Sequence, residues 1–149
     1  MRSPSHEKTR FLLPLLLVVV IAMGIFALYR NATAGRLADD FQTTLEPSQA
    51  YSAQEIQDAA DKILHKFQGE FSGCTMTQLR CSARDASSAD WNWAAEYGEE
   101  EGLLFYSTFT TDDSLAPRNG FNPNDTYEYQ WYLARSHGGP WKIVGYGQG

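Results

Sequence analysis

The spacing of apolar positions divides the chain. From Phe11 to Tyr29, FLLPLLLVVVIAMGIFALY, nineteen consecutive residues carry no charge. At about 1.5 Å of rise per residue a helix over them spans roughly 28 Å, close to the hydrocarbon thickness of a bilayer. The run therefore predicts a transmembrane helix, with Pro14 in its first turn, where a missing N–H is tolerated. From Ile56 the period changes: Ile56, Ala59, Ala60, Ile63, Leu64 and Phe67 recur at three and four residues, the signature of a helix with one buried face. Ser52 and Glu55 supply a capping box at its start, Tyr51 and Ile56 a hydrophobic staple, and Gly69 its end.

Beyond that helix the pattern shortens toward strands. Thr75 to Arg84 reads as a strand, and Leu103 to Thr111, LLFYSTFTT, as another, rich in β-branched and aromatic residues. Tyr127 to His137 alternates, with Tyr127, Tyr129, Trp131, Leu133 and Arg135 on one face and Glu128, Gln130, Tyr132 and Ala134 on the other. His137-Gly138-Gly139-Pro140 turns the chain, and Trp141 to Tyr146 closes a hairpin. A short helix is expected from Ala89 to Tyr97 behind Ser87-Ser88, and Glu99, Glu100 and Glu101 read as a solvated acidic turn. Asn31 to Ala50 reads as a polar tether, within which Leu37 to Leu45 either extends the first helix or forms a turn of its own.

These elements predict residues 1–10 as a tail, 11–29 as the membrane helix, 30–50 as a linker and 51–149 as one α+β domain. Charge sharpens the division. Residues 1–36 hold five Lys/Arg and one Glu, net +4, while residues 37–149 hold seven Lys/Arg and seventeen Asp/Glu, net −10. The basic flank at Arg2, Lys8 and Arg10 points to a cytoplasmic N-terminus and an extracytoplasmic domain, a single-pass membrane protein with a signal anchor. Cleavage after Ala32-Thr33-Ala34 is the competing reading, disfavoured because signal-peptide apolar regions are shorter than this one. So acidic a domain excludes nucleic acid as a partner.

Cys74 and Cys81 lie seven residues apart, an odd number, so on one continuous strand they face opposite sides and cannot form a bridge within one molecule, whereas a tight hairpin around Thr77-Gln78 would permit one, although the segment lacks the Gly or Asn that such a turn normally uses. No metal-ligand cluster, nucleophile elbow or phosphate loop is present in the sequence, and no cofactor is implied. His6, His65 and His137 fall in the tail, on a helix surface and in a turn. The acid and hydroxyl candidates for a pocket enzyme are Glu128 with Tyr132, or Asp112 and Asp113 at a strand end. Trp131 and Trp141 are assigned to the core. Trp91 and Trp93 cannot both point inward from one short helix, which makes them, with Asn122 and Asn124, the candidates for ligand contact.

Several of these residues occur in a familiar order: Tyr51-Ser52 with Glu55, Phe71-Ser72-Gly73-Cys74-Thr75, Trp93-Ala94, Tyr97-Gly98, Asn122-Pro123-Asn124 with Thr126-Tyr127, Trp131, Leu133, Arg135, and Gly139 before Trp141-Lys142. The set resembles an uncharacterised bacterial family of membrane-anchored extracytoplasmic domains with a nuclear transport factor 2-like fold, over roughly Tyr51 to Gly147. The resemblance implies a cone in which a long helix packs on a curved antiparallel sheet, and no activity. Cys81, where an aromatic is usual, and Pro140 in the hairpin turn depart from its pattern. The functional expectation is an anchored, non-catalytic binding module with a protein, peptide or carbohydrate partner outside the membrane. The alternative is an isomerase- or dehydratase-type pocket enzyme using Glu128 and Tyr132.

Overall fold

The computed structural model describes residues 5–82 and 93–149, with side chains from residue 14 onward except 31. The chain falls into two compact units, residues 1–33 and 34–149. The first contains helix α1 (Ser5–Thr33), 29 residues long. Among the described residues no helix is long and apolar enough to cross a membrane. The transmembrane helix expected at 11–29, its signal anchor, and the single-pass placement with an extracytoplasmic domain are corrected accordingly.

The second unit is a mixed α+β fold. Its elements run β1 (Arg36–Leu45), α2 (Ala53–Glu70), β2 (Cys74–Cys81), α3 (Trp93–Glu96), β3 (Glu101–Thr111), a 3-10 turn (Ala116–Asn119), β4 (Thr126–Arg135) and β5 (Lys142–Gln148). The five strands form one sheet in the order β1-β2-β3-β4-β5. β1 runs parallel to β2, and the remaining pairs are antiparallel. The sheet expected from the sequence was wholly antiparallel and lacked β1, so this too is a correction. The stretch read as a tether contains that strand. Its apolar residues Leu37, Phe41 and Leu45 stand four apart, a spacing that suits a helix and equally one face of a strand, and all three pack on the core.

Helix α2 forms as its cap and period require. Ser52 Oγ accepts from the Glu55 backbone N–H and the Glu55 carboxylate accepts from the Ser52 N–H. Its buried face of Ile56, Ala59, Ala60, Ile63 and Phe67 lies on the inner face of the sheet, with Met76, Leu79, Leu103, Phe105, Trp131 and Leu133 among the residues of the core. The Trp131 indole N–H donates to Ser107 Oγ at 2.8 Å, so the largest buried ring leaves no polar atom unpaired. On the opposite face of the sheet Trp93 of α3 lies over Gly102 and meets Tyr132 edge-on. A Cβ at Gly102 would stand 2.8 Å from the Trp93 ring, so only glycine admits the indole there. Of the helix expected from Ala89 to Tyr97, the part from Trp93 to Glu96 is helical; its expected caps, and Trp91, lie outside the described residues.

Cys74 and Cys81 are both buried. The parity argument for opposite faces fails because the β2–β3 register shifts between Met76 and Gln78. That irregularity resets the alternation, and Cys74, Met76, Leu79 and Cys81 all turn inward. Burial, reinforced by the nearby Asp112 carboxylate, pushes the Cys74 thiol up to about 11.

Candidate functional site

A groove of about 720 Å³ runs along one side of α2, between the helix and the turn that joins β4 to β5. The helix contributes Glu55, Asp58, Asp61, Lys62 and His65, a stripe at three- and four-residue spacing next to the buried face. The opposite wall is built by Arg135, Gly138, Gly139, Pro140 and Trp141.

Arg135 organises this wall. It is 6 % exposed, its Nη2 donates to Glu55 Oε1 and its Nε donates to Glu101 Oε2. Its guanidinium lies 4.2 Å from the centre of the Trp141 ring and 5.5 Å from that of Tyr51. Against the desolvation that burial imposes, the two carboxylates hold it charged. Glu55 thereby has two tasks. One carboxylate oxygen caps α2 through Ser52, at 2.8 Å from its N–H and 2.7 Å from its hydroxyl, while the other binds Arg135 across eighty residues of sequence.

The acidic run at Glu99–Glu101, read from the sequence as solvated, is a clasp on the β4–β5 turn. Glu99 accepts from Lys142 Nζ at 2.6 Å and from Ser136 Oγ at 2.7 Å. Glu100 accepts from the His137 N–H, and Glu101 takes both Arg135 and the Gly138 N–H at 3.2 Å. The turn enters the left-handed region at His137 and Gly138 (φ 55 and 64). Three carboxylates thus hold in place the wall that carries Trp141.

Trp141 itself is 4 % exposed. Arg135 covers one face and Tyr51 meets the ring edge-on at 5.4 Å. Among the described residues its indole N–H is the one buried side-chain polar atom without a hydrogen-bond partner. An unsatisfied buried donor costs on the order of 1–3 kcal/mol.

The Glu55 carboxyl is lowered to about 2, chiefly by the Arg135 hydrogen bond and then by Ser52. A carboxyl depressed in the folded state stabilises fully above its ordinary pKa, and that contribution is lost as pH falls through the folded value. Acid unfolding should therefore draw on this pair between about pH 4.5 and 2. Glu55→Gln should flatten that limb of the stability profile, measured by urea denaturation at successive pH values, while leaving its neutral limb parallel to that of the parent.

The residues singled out in the sequence lie elsewhere. Glu128 is exposed and Tyr132 half-buried on the sheet face opposite α2, where the Tyr132 hydroxyl donates to Gln130 Oε1. Neither lines the groove. Asp112 Oδ1 accepts from the N–H groups of Ser114, Leu115 and Ala116 at 2.7–3.0 Å, a structural cap on the 3-10 turn, and Asp113 is exposed beside it. Asn122 and Asn124 shape the turn before β4: the Asn122 N–H donates to the Tyr127 hydroxyl at 2.8 Å, and Asn124 adopts φ 53. Trp93 is seated on Gly102 and Tyr132. Sequence reasoning placed Trp141 in the core and missed its unpartnered donor, for which no local signal exists. Among the described residues no group of three or more His, Cys, Asp or Glu side chains is arranged to hold a metal ion.

Comparison with known proteins found no matching family model, no matching curated protein and no matching solved structure. The family resemblance of the residue pattern has no support from these comparisons.

Proposed function

We propose that the unit formed by residues 34–149 is a non-catalytic binding module whose ligand seats in the groove beside Trp141. One observation carries the reading: a buried indole N–H without an acceptor on the wall of that groove. A donor kept dry and unsatisfied costs stability, and an acceptor arriving with a ligand returns it. The volume, about 720 Å³, falls in the range of small-ligand sites, and a few convergent polar groups on a mostly apolar lining are what such sites use to orient their occupant.

The variant Trp141→Phe keeps an aromatic ring at the site but removes the donor together with the five-membered ring that carries it. Without ligand it should be destabilised by about 1–3 kcal/mol, the cost of the space left by the lost ring atoms less what is regained by removing an unpaired donor. Its partner experiment follows the Trp141 indole N–H resonance of the ¹⁵N-labelled chain during titration with mixed hexapeptides and with malto- and chito-oligosaccharides. A saturable shift of that resonance is the expected result. A Trp141 indole resonance that no peptide or oligosaccharide moves would overturn the reading.

A further inference from the structure

We infer that the groove binds an extended peptide segment carrying one basic side chain, with a backbone carbonyl accepting from the Trp141 indole N–H and the basic group between Asp58 and Asp61; this rests on the groove being the ligand site. Asp58 and Asp61 lie three residues apart on α2 and both are exposed. Gln54 Nε2 donates to Asp58 Oδ1 and Gln57 Nε2 to Asp61 Oδ1, each at 2.8 Å. One oxygen of each carboxylate is thereby fixed by a glutamine, and the other accepts nothing among the described residues. Two orientated anions on adjacent turns repel one another until a cation arrives, and a guanidinium or ammonium is the group that fits both.

Charge selects the same class of ligand. The groove lining holds Glu55, Asp58 and Asp61 against Lys62 and Arg135, which is 2 − 3 = −1 with His65 neutral. Residues 37–149 together carry 7 − 17 = −10. An anionic ligand is repelled at both scales, whereas a basic one is steered in. Glu55 and Arg135 neutralise each other, and Lys62, which has no ion-pair partner among the described residues, limits the site to a single basic residue. Trp141 is 4 % exposed, with Arg135 over one face and Tyr51 against its edge, so the ring offers no open platform on which a sugar could stack, and a peptide carbonyl is the acceptor assigned to its N–H.

The test uses the 149-residue chain and two pools of acetylated, amidated hexapeptides otherwise composed of Gly, Ala and Ser, one with Arg or Lys at a central position and one with Glu. The basic pool should saturate the Trp141 indole resonance at least tenfold more tightly than the acidic pool, and should weaken as salt is raised. The double variant Asp58→Asn/Asp61→Asn should lose at least tenfold in affinity for the basic pool. Asp39→Asn/Asp40→Asn, on β1, should lose nothing. Both pairs are exposed, so circular dichroism should match that of the parent. Equal or tighter binding of the acidic pool, or a Trp141 shift produced by oligosaccharides alone, overturns the peptide assignment while leaving the groove as the ligand site. A Trp141 resonance moved by no member of the panel overturns both.

Discussion

Truncating Phe71 to alanine should cost about 3–5 kcal/mol, the loss expected when a buried aromatic side chain is removed from a close-packed core. Phe71 is 4 % exposed and lies where the end of α2 meets the sheet. Its ring stacks on Phe67 at 4.8 Å and stands 5.5–6.0 Å from Phe109, Phe121, Tyr129, Trp131 and Tyr146, each centroid to centroid. These partners come from α2, β3, β4, β5 and the loop before β4, and no single one can move to fill the space without opening another gap. In urea denaturation the midpoint should fall by roughly 2 M with little change in slope, since the slope follows the surface exposed on unfolding. A loss below about 1 kcal/mol would mean that the ring cluster is not the centre of the core.

Replacing Arg135 with methionine should destabilise by about 2–4 kcal/mol. Removing one partner of a fully buried ion pair costs about 3–5 kcal/mol, because the other charge is left without compensation. Here the guanidinium is buried, but the side chains of Glu55 and Glu101 are 36 % and 27 % exposed, so water relieves part of the penalty. Methionine keeps the apolar stem against Trp141 and Tyr51, which separates the charge from the packing. The deficit should shrink as pH is lowered from about 4.5 to 2, since Glu55 then loses the charge that Arg135 had balanced. Glu55→Gln made in the Arg135→Met background should cost less than in the parent, as residues of one network do. Strict additivity of the two would sink the account of Arg135 as a shared hub.

Both predictions concern contacts between residues far apart in the chain, and such contacts mark the limit of what the sequence conveys. The start of α2 was legible because a capping box and a three-to-four period are written within a few residues of each other. The inward face of β4 was legible too, since Tyr129, Trp131, Leu133 and Arg135 alternate with outward residues over a single strand. The hairpin turn before Trp141 carried its own glycine signal.

The tertiary structure decided the rest. Leu37, Phe41 and Leu45 become a strand through a parallel partner that begins only after α2, so nothing nearby in the chain could announce the pairing. A single irregularity in β2 turned both cysteines inward, and alternation counted along the sequence could not register it. The three glutamates at 99–101 took their partners from a turn about forty residues on, and Glu55 met Arg135 across eighty. Local periods and caps depend on backbone geometry that every segment carries with it, so the sequence by itself determined where the helix and the later strands begin and which faces they bury. Ion pairs, strand order and an indole N–H left without an acceptor depend on which distant segments fold against each other, so the groove and its chemistry came into being only with the tertiary structure.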